Sequence, residues 1–145
     1  MRDTLRAGIE GTFRYRVTDS KTVPRIYEEA ADFQMMPPVL ATGYMVALVE
    51  WACIEVIKPH LEWPAEQSLG THVDLSHTAA TPPGLVVEVR TRLESVEGRK
   101  LTFHVSAHDG VDRICEGRHE RHVIEAARFT AKIASKAARA GVAAR

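Results

Sequence analysis

Ala41-Thr42-Gly43-Tyr44-Met45-Val46-Ala47-Leu48-Val49-Glu50-Trp51-Ala52-Cys53-Ile54-Glu55-Val56-Ile57 is the most apolar stretch of the chain, and the rest of the fold follows from how it must be buried. At 100° per residue it reads as a helix whose apolar residues run most of the way round, so it is covered on several sides. The helix is expected from about Val39 to Lys58, with Pro59 as its stop. About twenty residues at ~1.5 Å each would span ~30 Å, enough to cross a small domain. Glu50 has Val46, Cys53, Ile54 and Ile57 as helical neighbours. A carboxylate on that face must be paired, protonated or open to a pocket, because bare burial costs several kcal/mol. Buried acids are where enzymes keep tuned bases and nucleophiles. Glu55, beside Trp51 and Lys58, is expected to reach solvent.

Outward from this helix the chain reads as sheet. Thr12 to Val17 alternates, with Phe13, Tyr15 and Val17 on one side and Arg14 and Arg16 on the other. Lys21 to Pro38 is irregular, with Pro24 and Pro37-Pro38 as breakers around a short helix near Arg25 to Ala31. Beyond Pro59, Leu69, Thr71, Val73, Leu75 and His77 share one face of a strand that Thr81-Pro82-Pro83-Gly84 breaks. Leu85 to Val96 alternates again, placing Leu85, Val87, Val89 and Leu93 inward. After a turn at Glu97-Gly98-Arg99, Leu101, Phe103, Val105 and Ala107 face the same way. His108-Asp109-Gly110 is a hairpin turn, and Asp112 to Glu125 supplies the last strand. From Ala126 the composition shifts to Ala, Lys and Arg, which predicts a domain over 1–125 and a frayed helix or disordered tail over 126–145. A strand, a long helix and four consecutive antiparallel strands make an α+β pattern, with the sheet curled around the helix. Its exposed edges imply a homodimer.

Composition narrows the function classes. With 145 residues, 45% apolar and 26% charged, one globular domain is expected. Nineteen basic and nineteen acidic side chains cancel, which points away from nucleic acid and membrane as partners. Neither a spanning helix nor a signal peptide is evident. Cys53 and Cys115 belong to no Cys-x-x-Cys pair, so a reducing cytoplasm is the expected compartment.

Several residues have a plain structural reading beside a chemical one. Thr42, just ahead of the apolar run, has the spacing of an N-cap. His77 shares a strand face with apolar groups, the usual place of a satisfied core histidine, yet it is also a candidate acid or base. Gly70 marks a bulge or a close approach of backbone to a ligand. Arg121 reads on residue type as the solvated face of the last strand. His119 and His122 fall on opposite faces of that strand, so no metal site is expected there. Arg90, Arg92, Arg99 and Lys100 are surface cations available to phosphates, none of them singled out.

The local sequence carries a more specific signal. Leu40-Ala41-Thr42-Gly43-Tyr44-Met45-Val46, Glu50-Trp51-Ala52-Cys53, Ser68-Leu69-Gly70-Thr71, Ser76-His77-Thr78-Ala79-Ala80-Thr81-Pro82-Pro83-Gly84, Val105-Ser106-Ala107-His108-Asp109-Gly110-Val111-Asp112 and His119-Glu120-Arg121 closely resemble the fluoroacetyl-CoA thioesterase family. The resemblance runs over nearly all of the chain up to the tail. It implies a homodimeric hot-dog fold and hydrolysis of short acyl-CoA thioesters by a threonine, a glutamate and a histidine, matching Thr42, Glu50 and His77. It implies no cofactor, with CoA entering as part of the substrate. The family's substrate-contacting glycine matches Gly70, the arginine near its fluorinated acyl group matches Arg121, and its apolar gate matches Val23, Ile26 and Phe33. One gate position departs: Met36 stands where the family's fluoroacetate-detoxifying protein has a second phenylalanine, followed by Pro37-Pro38. Two alternatives stay open, namely a different or longer acyl group on CoA or on an acyl carrier protein, and a non-catalytic acyl-CoA-binding module.

Overall fold

A computed structural model describes residues 1–143. In chain order the elements are β1 (Glu10–Arg16), α1 (Ala31–Gln34), α2 (Thr42–Ile57), β2 (Glu66–Leu75), β3 (Val86–Glu97), β4 (Lys100–His108), β5 (Arg113–Glu125) and α3 (Ala126–Arg139). The five strands form one antiparallel sheet in the order β1-β3-β4-β5-β2. Val87, Val89 and Leu93 of β3, Leu101, Phe103 and Val105 of β4, and Met45, Val49, Cys53 and Ile57 of α2 make one buried core. The fold is α+β, a sheet around a long helix. The contact is intimate: a Cβ on Gly11 of β1 would stand 2.7 Å from Val56 Cγ2 of α2.

Tight turns join β3 to β4 and β4 to β5, each with a left-handed glycine, Gly98 at φ 61° and Gly110 at φ 94°. β2 to β5 are the four consecutive antiparallel strands expected above, with β2 away from its chain neighbour β3. β2 lies at the far edge beside β5 instead of against β3. Segment 76–85 turns only at Pro83-Gly84, and its ten residues can reach about 33 Å. Crossing β4 and β5 to the start of β3 needs only about 15 Å at ~4.8 Å per strand.

β2 also loses the single apolar face read from its sequence. Its register shifts between Gly70 and His72, so Ser68 and Gly70 face α2 ahead of the bulge and Val73 and Leu75 after it. Leu69 pairs with His122 and faces away. Both Leu69 and Val73 stay substantially exposed on this edge strand, at 38% and 46%.

The helix α2 is 16 residues long, shorter than the expected Val39–Lys58, because the backbone of Val39, Leu40 and Ala41 is tied to Val23, Thr81 and Lys21 and Lys58–His60 tightens into a final turn around Pro59. The short helix expected near Arg25 to Ala31 divides into a turn at Val23–Arg25 and α1. The outward face of the sheet is a lattice of shared ion pairs. Glu88 lies 2.7 Å from Arg14 and 2.8 Å from Arg90, and Glu94 lies 3.4 Å from both Arg92 and Arg118. Arg99 and Lys100 pair with Glu125 and Glu120. Along 126–145, where a frayed helix or a disordered tail is expected, Ala126–Arg139 is helical with no buried residue, and Ala144 and Arg145 lie outside the described residues. No described helix is long and apolar enough to cross a membrane.

Candidate active site

The segment after β2 is laced to its neighbours before it becomes a loop. The Ser76 amide donates to the Glu116 carbonyl and the Thr78 amide to the Ile114 carbonyl, both at 2.9 Å, which fixes His77 between them. The Leu40 amide donates to the Thr81 carbonyl at 2.8 Å, bringing the same segment onto the start of α2. Thr42 Oγ1 and His77 Nδ1 thereby meet at 2.8 Å. Ala41, not Thr42, is the N-cap, and Thr42 is the first helical residue with no capping bond of its own. Its hydroxyl is free for the imidazole. His77 Nε2 is buried without a hydrogen-bond partner, and among the described residues no other buried side-chain polar atom shares that condition. Burial lowers the His77 pKa from its ordinary value.

Of the residues expected to form a gate, Val23 lies against this pair. Val23, Val39 and Leu40 line the same shallow depression as Thr42 and His77. Ile26 reaches Gly43, where its Cδ1 is 3.0 Å from the place a Cβ would take. Phe33 stacks with Tyr27 at 6.3 Å between centroids. Met36 is largely exposed.

A second cluster forms two turns further along α2. Glu50 Oε1 accepts a hydrogen bond from Arg121 Nη1 at 3.2 Å. Arg121, expected above on the solvated face, is instead 2% exposed. Its position two residues before buried Val123 puts it inside, and its Nε and Nη2 donate to Ser68 Oγ and Ser68 O at 2.9 and 2.8 Å. His119, another two residues back, is fully buried and sits 3.0 Å from Arg121 Nη1. That same alternation could have found it. Gly70 pairs with Arg121 across the strands, and a Cβ there would collide with Glu50 Oε1. Only a glycine leaves room for the carboxylate.

Glu50 is less enclosed than the helix pattern implies: its side chain is 38% exposed, with one oxygen held and the rest open to the edge of β2. The neighbouring Cys53 thiol is pushed up to about 12, chiefly by burial, with Arg121 opposing and Glu50 reinforcing the shift. It stays protonated and is no nucleophile. Within one chain the two clusters remain apart, since the eight residues from Thr42 to Glu50 make ~12 Å of helix. Thr42 meets His77; Glu50 meets Gly70 and Arg121.

Residues 17–127 match the family model described as FlK, fluoroacetyl-CoA-specific thioesterase. A fluoroacetyl-CoA thioesterase from Streptantibioticus cattleyicolor is 52% identical over 136 residues, covering 94% of this chain and 97% of that protein. A solved structure of the fluoroacetyl-CoA thioesterase FlK superposes with a TM-score of 0.89 at 51% identity, over 92% of this chain and 98% of that one. A hot-dog-like protein from Thermanaerovibrio acidaminovorans, 17% identical, shares the fold with a TM-score of 0.74 over 90% of this chain and 91% of that one.

Proposed function

The chain belongs to the fluoroacetyl-CoA-specific thioesterase family, and from that premise we propose that Glu50, His77 and Thr42 carry its chemistry at a site completed by a second copy of the chain. The protein is an acyl-CoA thioesterase, hydrolysing a short acyl-CoA to the free acid and CoA. The observation that carries the site assignment is Glu50 itself: a carboxylate on an apolar helix face, held by one oxygen and otherwise open.

Two routes use that carboxylate. It either adds to the thioester carbonyl, giving a mixed anhydride that water opens, or takes a proton from the attacking water. In both, one water is consumed, the C–S bond breaks, and the departing CoA sulfur receives a proton relayed through His77, which Thr42 orients. The amides of Thr42, Gly43 and Tyr44 at the start of α2 have no intrahelical carbonyl and suit the developing oxyanion.

A homodimer resolves the separation of the clusters. If a two-fold axis passes near Val46, midway between Thr42 and Glu50, an antiparallel partner helix sets the partner's Glu50 beside Thr42 and His77. The unpartnered Nε2 of His77 and the exposed Leu69 and Val73 on the β2 edge support this arrangement. Gly70 and Arg121 then flank the acyl group from the Glu50 side, and Val23, Ile26, Phe33 and Met36 cover it. Residues 1–125 form the catalytic unit, and α3 is an appendage to it. Two free, buried cysteines fit a cytoplasmic enzyme.

Thiol release from a panel of acyl-CoAs tests this reading. Short acyl groups should be turned over, and Glu50→Gln and His77→Ala should each lower kcat by roughly 10²–10⁴-fold. Turnover unchanged in both variants refutes the site. In the same panel Met36→Phe should alter the ratio of fluoroacetyl-CoA to acetyl-CoA hydrolysis, because a flexible thioether now fills that part of the gate.

A further inference from the structure

We propose that His119 is a positioning residue, a neutral hydrogen-bond acceptor that aims Arg121 at Glu50 and adds a second ionisation to the acid limb of the reaction. The inference rests on the reading of Glu50 as a reacting group and names what holds that group in place.

The tautomer follows from the partners. His119 Nδ1 lies 2.9 Å from the His72 carbonyl, which can only accept, so the proton is on Nδ1. His119 Nε2 lies 3.0 Å from Arg121 Nη1, which can only donate, so Nε2 presents its lone pair. One N–H of Nη1 is thus taken by His119 and the other points at Glu50 Oε1, 3.2 Å away. With Nε and Nη2 tied to Ser68, the guanidinium is held on three sides and cannot rotate to follow the carboxylate.

Protonation of His119 would undo this. Nε2 would then carry a proton facing a second cationic donor, and the bond to Arg121 would be lost. The new N–H would compete for Glu50 Oε1, only 3.9 Å from Nε2. The groups around the ring are few. Glu50 and the neutral Cys53 come from α2, Arg121 and Glu120 from its own strand, and His72 and Val73 from β2. Phe103 stands opposite on β4. Burial lowers the His119 pKa and Arg121 adds to the lowering, while the His72 carbonyl, Glu50 and Glu120 oppose it. The resting ring is therefore neutral at neutral pH.

His77 must also be neutral to accept a proton, so the acid limb should contain two histidine ionisations. Below both, kcat/KM should fall about tenfold more steeply per pH unit in the parent protein than in a variant without the His119 ionisation. His119→Gln places an amide oxygen near the Nε2 position and cannot titrate. It should keep kcat within about threefold of the parent at pH 8 and show an acid limb shallower than the parent's by about tenfold per pH unit. His119→Phe keeps the volume without an acceptor and should lower kcat at every pH by at least tenfold, with KM changed less than threefold. Ring ¹⁵N shifts of the resting parent should report the Nδ1–H tautomer of His119. A His119→Gln limb as steep as the parent's, or the Nε2–H tautomer in the spectrum, overturns the proposal. Should His119→Phe fail to fold, the glutamine variant and the spectrum still decide. Parental turnover in both Glu50→Gln and His77→Ala would instead sink the underlying site reading, which the spectrum does not touch.

Discussion

Gly70 shows how a single hydrogen atom conditions the site. Its strand position is occupied on one side by Glu50 Oε1 and on the other by His119 Cε1, 3.1 Å from where a Cβ would stand. Gly70→Ala should displace the carboxylate by about an ångström and lower kcat by roughly 10²-fold. The accompanying overpacking costs about 1–3 kcal/mol, measurable as a reduced urea midpoint. Parental kcat in a folded Gly70→Ala protein would remove Gly70 from the site. At this scale the sequence is partly legible. Glu50 stands out because its helical neighbours are apolar, whereas Arg121 and His119 were obscured by residue type. Charged and imidazole side chains on a terminal strand suggest solvent, yet their alternation with Val123 places both inside. Alternation was the better guide, since the cost of burying a guanidinium is offset by the four acceptors that meet it.

Among the elements, the loop that carries His77 depends on the β4–β5 turn. The Asp109 carboxylate accepts hydrogen bonds from the amides of Val111 and Asp112 at 2.9 and 2.8 Å, and from the buried Thr81 hydroxyl at 2.9 Å. Burial works against its ionisation, but these bonds outweigh it and its pKa falls below the ordinary value. A carboxylate depressed in the folded state stabilises the fold above its unfolded pKa, and that contribution disappears as pH falls through the folded value. Asp109→Ala should therefore cost about 2–3 kcal/mol in urea unfolding at pH 7, with a smaller difference from the parent below about pH 4. Element types were readable from alternation and from Pro59, Gly98 and Gly110. The place of β2 was not, because a pairing partner some fifty residues away leaves no local trace, and the bulge after Gly70 broke the face that was read as continuous.

For the whole molecule, the separation of Thr42–His77 from Glu50 along α2 makes a sharp prediction about assembly. If each site draws on both copies, mixing inactive Glu50→Gln with inactive His77→Ala under exchange conditions should restore about a quarter of parental activity, since half the dimers would carry one intact site of two. No recovery, with exchange verified by mass, would place all three residues in one chain's own site. The sheet order has a consequence during synthesis as well. β2 leaves the ribosome well before β5, the strand that pairs with it. At ~5–20 residues per second, the interval from Leu75 to Glu125 lasts about 3–10 s. Throughout that time the nascent chain carries Leu69 and Val73 on an open edge, so yield from crowded translation or from concentrated refolding should be limited by how well that strand is shielded until its neighbour arrives.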